Sequence, residues 1–144
     1  LMNAVSKLPV CALFNVGDYE REYSEITAII SIASWYPQPS VIAQTDAVIH
    51  HVVNNSFNEC LYYGKPALIM PYVWDGHDNA TRLQETGHGL HLHRNEWNDQ
   101  ELADRIVTLL NDQPMQARLA ETSAHMRSRH GPTKAAGILN DLLD

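Results

Sequence analysis

Cysteine is scarce in this sequence. Cys11 and Cys60 are the two cysteines among 144 residues, which is too few for the disulfide framework of a small secreted domain. We therefore predict two buried free thiols in a protein of a reducing compartment, and a cytoplasmic location.

Basic residues and long apolar runs are also scarce. Lysine and arginine number 10 against 17 aspartates and glutamates, for a formal net charge of -7. Nucleic-acid binders usually present a basic face, so this balance argues against such a partner, although a helix N-terminus holds one phosphorylated ligand without many basic side chains. No apolar run approaches the roughly 20 residues of a membrane span, and the N-terminus lacks the pattern of a signal peptide. We expect no membrane span in this chain.

Short apolar runs alternate with amphipathic segments along the whole chain. The predicted strands are 10–16, 26–34, 47–53, 66–71 and 89–93. The predicted helices are 1–8, 40–44 with Ser40 as cap, 54–63, 79–86, one from 98 or 99, and a last region from 114 that is interrupted near 131–132. Residues 18–25 are predicted as a loop and residues 75–78 as a polar turn. Such alternation predicts βαβ units, which make an α/β fold: a Rossmann-like parallel sheet with helices on both faces. The length suits one domain.

Ligands of open parallel sheets bind at the carboxyl ends of the strands. This rule selects the segments 35–38, 51–56 and 71–78, which all follow apolar strands. We expect these segments to line one crevice.

The segment from His51 to Glu59 has the chemistry of a diphosphate site. Asn55 and Ser56 open a predicted helix, whose first amides and dipole favour an anion. His51 precedes them and can donate to the same group, while Glu59, one turn after Ser56, can accept from two ribose hydroxyls. By itself this pattern is also compatible with a plain helix cap beside a buried histidine.

Two further segments complete the candidate crevice. Trp35 lies in a loop stiffened by prolines and can stack on a base, and Gln38 can pair with a donor and an acceptor on a uracil edge. Asp75, after the fourth strand, can bind sugar hydroxyls. The simpler alternatives are a surface tryptophan packed on proline and an acidic helix cap.

The ordered combination of these motifs is more specific than its parts. The segments WYPQ (35–38), DAVIHHVVNNSFNE (46–59), YGKPALIMPYVWDGHDNA (63–80) and GHG (87–89) resemble the donor-binding signature of the UDP-glycosyltransferases. These are GT-B-fold enzymes, and the spacing is similar to that of the bacterial macrolide and natural-product members. The resemblance covers almost the whole chain and implies the donor half of a GT-B fold.

The resemblance also implies a role for each candidate residue. Trp35 would stack on uracil or another pyrimidine that Gln38 contacts. His51, Asn55 and Ser56 would hold the diphosphate, Glu59 the ribose hydroxyls and Asp75 the hydroxyls of the transferred sugar. The implied donor is a UDP-sugar, with a TDP-sugar as alternative, and neither a metal nor a cofactor is expected.

An inverting, metal-independent transfer of a hexose to a hydroxyl acceptor is the implied reaction. The general base of the family is usually a histidine of an N-terminal acceptor domain, so we assign no catalytic residue in this chain. Residues 1–144 are expected to be one nucleotide-sugar-binding domain, a fragment that lacks the acceptor domain and the first strand and is inactive alone.

Two positions depart from the family pattern. Val52 and Val53 stand where small residues, often glycines, let the backbone approach phosphate. Gly76 stands where a glutamine usually follows the aspartate, so one sugar contact is lost unless His77 or Asp78 replaces it.

Three other interpretations remain open. The altered positions are also compatible with a non-catalytic nucleotide-binding module. A stand-alone donor subunit of a split glycosyltransferase is a second alternative. The third is a metal site, because His91 and His93 alternate on one strand near His88.

Overall fold

The chain folds into short parallel strands connected by helices. The computed structural model describes residues 1–23, 29–51, 54–72 and 75–142. Its strands are β1 Ala12–Asn15, β2 Ile30–Ala33, β3 Val48–His50, β4 Ala67–Ile69 and β5 Gly89–His91. Its α-helices are α1 Met2–Val5, α2 Gln38–Ile42, α3 Asn54–Tyr63, α4 Asp75–Glu85, α5 Asp99–Asn111, α6 Gln113–Ser128 and α7 Gly131–Asp141, and a 3₁₀ helix covers Gly17–Glu22.

All strand pairs in the described ranges are parallel. β1 pairs with β2, with Ala12 opposite Ile30. A second sheet has the order β3-β4-β5, in which Ala67 lies opposite both Val48 and Gly89. The predicted parallel sheet is confirmed, although its backbone ladder is divided into these two parts.

β4 divides the core because its successive side chains point to opposite faces. Ala67 and Ile69 pack with buried residues of α2, α3 and α4, namely Ile42, Cys60, Ala80 and Leu83. Leu68 packs on the other face with buried residues of α1, α5 and α6, among them Val5, Leu102, Leu109 and Leu119. The prediction of helices on both faces is therefore confirmed.

Most predicted helices are present, and two of their starts were wrong. α2 begins at Gln38 after Pro37, and Ser40 is not its cap; Pro39 suits the first turn because its fixed φ is helical and it needs no amide partner there. α4 begins at Asp75 and includes the four residues predicted as a polar turn. The predicted cap of α5 is confirmed, since Asn98 Oδ1 accepts from the Glu101 amide at 3.0 Å.

The strands are shorter than the apolar runs that predicted them. The second predicted strand, 26–34, is β2 over Ile30–Ala33, and its residues 26–28 lie outside the described ranges. The predicted loop after Gly17 contains the 3₁₀ helix, and its residues 24–25 also lie outside those ranges.

Both cysteines are free, and they differ in exposure. Cys60 is buried as predicted, but Cys11 is exposed, so that half of the prediction was wrong. Along β1 the side chains alternate, and Leu13 is 51% exposed while Phe14 packs against the core. Cys11 shares the uncovered face with Leu13. In the described part of the chain, no helix has the length and apolarity that crossing a membrane requires.

Candidate functional site

The described residues of three loops lie at the carboxyl ends of strands, as predicted. Trp35 follows β2, His51 follows β3, and α4 follows β4. The helices that continue from these loops, α2, α3 and α4, share the core around Ile69. This common packing brings the beginnings of α2, α3 and α4 to one side of the sheet.

The Gln38 side chain joins two of the predicted subsites. Its Nε2 donates to Ser56 Oγ at 2.9 Å and to Glu59 Oε2 at 2.6 Å. Ser56 and Glu59 are one turn apart in α3, so they face the same side. One residue predicted for the base, one predicted for the diphosphate and the residue predicted for the ribose therefore form one hydrogen-bonded cluster.

Trp35 is open to solvent. Its side chain is 70% exposed, so the indole is accessible to a stacking partner. In the same loop, the Tyr36 hydroxyl lies 3.0 Å from Ser31 Oγ, which ties the loop back to β2. This exposure argues against the simpler alternative of a surface tryptophan packed on proline.

The two consecutive histidines have different environments. His50 is the last residue of β3, and burial, reinforced by the charge of His51, lowers its pKa to about 4. His51 is exposed immediately after the strand. Of the two histidines, His51, which is predicted to bind phosphate, is therefore the one with an accessible side chain.

Asn55 and Ser56 lie in the first turn of α3, where backbone amides have no partner within the helix. Asn55 is exposed and Ser56 is half-buried. Before them, Asn54 Oδ1 accepts from Nδ2 of Asn79 in α4 at 3.0 Å, and the Asn54 carbonyl accepts from Nδ2 of Asn58 at 2.9 Å.

Sequence reasoning missed the pairing of Asn54 with Asn79. The two residues are far apart in sequence, and no local pattern relates them. Asn79 lies within the resembling segment DGHDNA, which was the signal available for it.

The predicted sugar subsite begins at α4. Asp75 is the first residue of that helix and lies one turn before Asn79, and Gly76 is buried. Val52, Val53 and Trp74 lie outside the described residues.

Two of the three histidines considered for a metal site have other partners. Both ring nitrogens of His88 lie near threonine hydroxyls, Nδ1 at 3.0 Å from Thr86 and Nε2 at 2.8 Å from Thr122. His93 Nδ1 lies 3.9 Å from Glu96.

Burial, followed by the charges of His77, His93 and Arg105, lowers the pKa of His91. No group of three or more histidine, cysteine, aspartate or glutamate side chains in the described ranges has the arrangement of a metal site.

Comparison with known families identifies the family of this chain. The family described as the erythromycin biosynthesis protein CIII-like, C-terminal domain matches residues 3–142. The chain belongs to this family. The EryCIII-like domain is the carboxyl-terminal part of GT-B glycosyltransferases, so the predicted resemblance is confirmed.

Curated relatives are antibiotic and other glycosyltransferases. Aklavinone 7-beta-L-rhodosaminyltransferase of Streptomyces galilaeus is 28% identical over 143 residues, covering 99% of this chain and 32% of the relative. Aclacinomycin-T 2-deoxy-L-fucose transferase of the same organism is 26% identical over 144 residues, covering 99% and 33%. The chain thus spans about a third of the length of these relatives.

Solved structures share the fold of the EryCIII-like domain. The calicheamicin glycosyltransferase has a TM-score of 0.90 at 20% identity, over 99% of this chain and 38% of that chain. The glycosyltransferase VinC, in complex with DTDP, has a TM-score of 0.87 at 20% identity, over 97% and 36%. These enzymes have the GT-B fold, so the predicted fold class is confirmed.

Proposed function

We propose that this EryCIII-like domain binds the nucleotide sugar of an inverting glycosyltransferase that transfers a hexose to a hydroxyl acceptor. The observation that carries the proposal is the cluster of Gln38, Ser56 and Glu59 at the carboxyl side of the sheet. It joins two chain segments at the place where parallel sheets bind ligands.

In this proposal each part of the donor has a complementary partner. Trp35 stacks on the pyrimidine, and Gln38 lies between the base and the ribose that Glu59 binds. His51, Asn55 and Ser56 bind the diphosphate at the start of α3. Asp75, at the start of α4, binds the transferred sugar.

The proposed reaction is a direct displacement at the anomeric carbon. The acceptor oxygen forms a bond to that carbon while the bond to the diphosphate oxygen breaks, and negative charge grows on the leaving nucleoside diphosphate. His51 and the first amides of α3 stabilise this charge from fixed positions. The base that takes the acceptor proton belongs to an acceptor domain, and no step needs a metal or a cofactor.

The base of the donor is uracil or thymine. Relatives named UDP-glycosyltransferase, such as that of Talaromyces amestolkiae at 29% identity over 105 residues, support a UDP-sugar. The DTDP complex of VinC supports a TDP-sugar. We retain the UDP-sugar as the first expectation, with the TDP-sugar as its alternative.

Calorimetry on this chain tests the proposal. We expect saturable binding of UDP or TDP and much weaker binding of uridine, because the helix N-terminus and Ser56 contact the diphosphate. Trp35→Ala should weaken binding by about 10-fold, since stacking of a base on an aromatic ring contributes on the order of 1–3 kcal/mol.

Serine variants separate the phosphate role from general effects. Ser56→Ala should weaken UDP or TDP binding, whereas Ser128→Ala, which removes a hydroxyl bonded to His125 within α6, should not. An absence of binding at millimolar UDP and TDP would contradict the proposal for this chain. Val52→Gly with Val53→Gly would then show whether these valines block the diphosphate.

A further inference from the structure

The first turn of α3 and the second turn of α4 are linked by a pair of asparagines. Asn79 Nδ2 donates to Asn54 Oδ1 at 3.0 Å. Asn54 directly precedes the proposed diphosphate residues Asn55 and Ser56, and Asn79 follows Asp75 by one turn. The hydrogen bond therefore lies between the proposed phosphate subsite and the proposed sugar subsite.

The buried core side chains of these helices lie further along each helix. Cys60 of α3 and Ala80 and Leu83 of α4 belong to the same core, and all three follow the asparagines in their helices. The core fixes the bodies of the two helices, and the asparagine pair adds a link near their beginnings. Removal of either asparagine amide deletes this link and leaves the core side chains of Cys60, Ala80 and Leu83 in place.

We propose that Asn79 is a positioning residue that, through Asn54, sets the distance between the diphosphate-binding start of α3 and the sugar-binding start of α4. This inference rests on the proposed function. A nucleoside diphosphate contacts α2 and α3, whereas a nucleotide sugar also reaches α4. Asn79 therefore affects the binding of the sugar part selectively.

The test compares two ligands on the same protein. We expect Asn79→Ala to weaken UDP-glucose or TDP-glucose binding about five-fold, the usual effect of one net hydrogen bond, and to leave UDP or TDP binding unchanged. The readout is the ratio of the two dissociation constants by calorimetry. Asn58→Ala, which removes the other amide hydrogen bond to Asn54, is the matched control and should leave the ratio unchanged.

A double-mutant cycle identifies the pair as the cause. Asn54→Ala should change the same ratio, and the double variant should change it no further, because both substitutions remove one interaction. Additive effects, equal losses for both ligands, or no loss would overturn the inference. If Asn79→Ala does not fold, as judged by circular dichroism, Asn54→Ala decides the question, because Asn54 is exposed.

Failure of the proposed function and failure of this inference give different binding results. If the wild-type chain binds neither UDP nor TDP, the proposed function fails and the inference fails with it. If the wild-type chain binds them and the ratio does not respond to the variants, the inference alone is wrong.

Discussion

The two thiols acquire opposite properties from their surroundings. Cys60 is 1% exposed in the core below the candidate site. Burial, with a smaller contribution from the negative charge of Glu59, raises its pKa to about 12. Cys11 is exposed before β1. Because the thiolate is the reactive form, Cys60 should be inert under conditions in which Cys11 reacts.

We expect an aromatic disulfide reagent at about pH 8 to modify one thiol per folded chain. Cys11→Ser should abolish the fast reaction and Cys60→Ser should preserve it, as followed by the absorbance of the released thiolate. Unfolding in guanidinium should make the second thiol reactive. Fast modification of both thiols in the folded chain would contradict the burial of Cys60.

At the residue scale, part of the candidate site could be predicted from residues that are neighbours in the sequence. His51, Asn55 and Ser56 follow a strand and open a helix, so their position at the sheet edge was predictable. The contact of Gln38 with Glu59 and that of Asn79 with Asn54 were not predicted, because each joins segments brought together by the packing of α2, α3 and α4. The exposure of Cys11 was missed because an apolar run does not reveal which face of a strand is covered.

At the scale of elements, β5 and α4 are packed around a glycine. A Cβ atom at Gly89 would lie 2.2 Å from Leu83 Cδ2 and 2.5 Å from the carbonyl oxygen of Ala67. The second distance involves backbone of the neighbouring strand, which cannot move without disturbing the β4–β5 ladder. Gly89 therefore permits the close approach of the edge strand, the central strand and the helix.

Gly89→Ala should lower the free energy of unfolding by about 1–3 kcal/mol, the usual cost of overpacking a core. Gly137→Ala is the matched control in α7, since no atom lies within 4 Å of a Cβ there. This control should be neutral or stabilise by up to about 1 kcal/mol, because alanine favours a helix interior. Urea unfolding measures both, and an unchanged stability of Gly89→Ala would contradict the packing argument.

The boundaries of elements were less predictable than their order. Residues 75–78 read as a turn because aspartate and glycine favour turns, but they form the start of α4, whose burial of Ala80 and Leu83 outweighs local preference. The run 66–71 is longer than β4 because Pro66 and Pro71 are buried but have no amide to donate to a ladder.

At the scale of the molecule, alternation of short strands and helices was sufficient to predict a parallel α/β fold. The division into a β1–β2 pair and a β3-β4-β5 sheet was not predicted, because pairing between distant segments leaves no local pattern. Phe14 of β1 and Ile49 of β3 nevertheless pack against the same cluster around Leu68. The two sheets therefore contribute to one core, as one domain requires.

At the scale of the whole protein, we expect sugar transfer to require both a donor domain and an acceptor domain. Because the chain spans about a third of its curated relatives and we assign it no general base, we expect it to bind a nucleoside diphosphate but not to transfer sugar alone. The measurement is release of UDP or TDP from UDP-glucose or TDP-glucose in the presence of hydroxyl acceptors. The same assay on the complete open reading frame containing residues 1–144 should show transfer if donor and acceptor domains are joined.

Activity that appears only when a separate acceptor subunit is added would favour a split glycosyltransferase. Binding without transfer in both forms would favour a nucleotide-binding module, and efficient transfer by the 144-residue chain alone would contradict the need for a base from outside it.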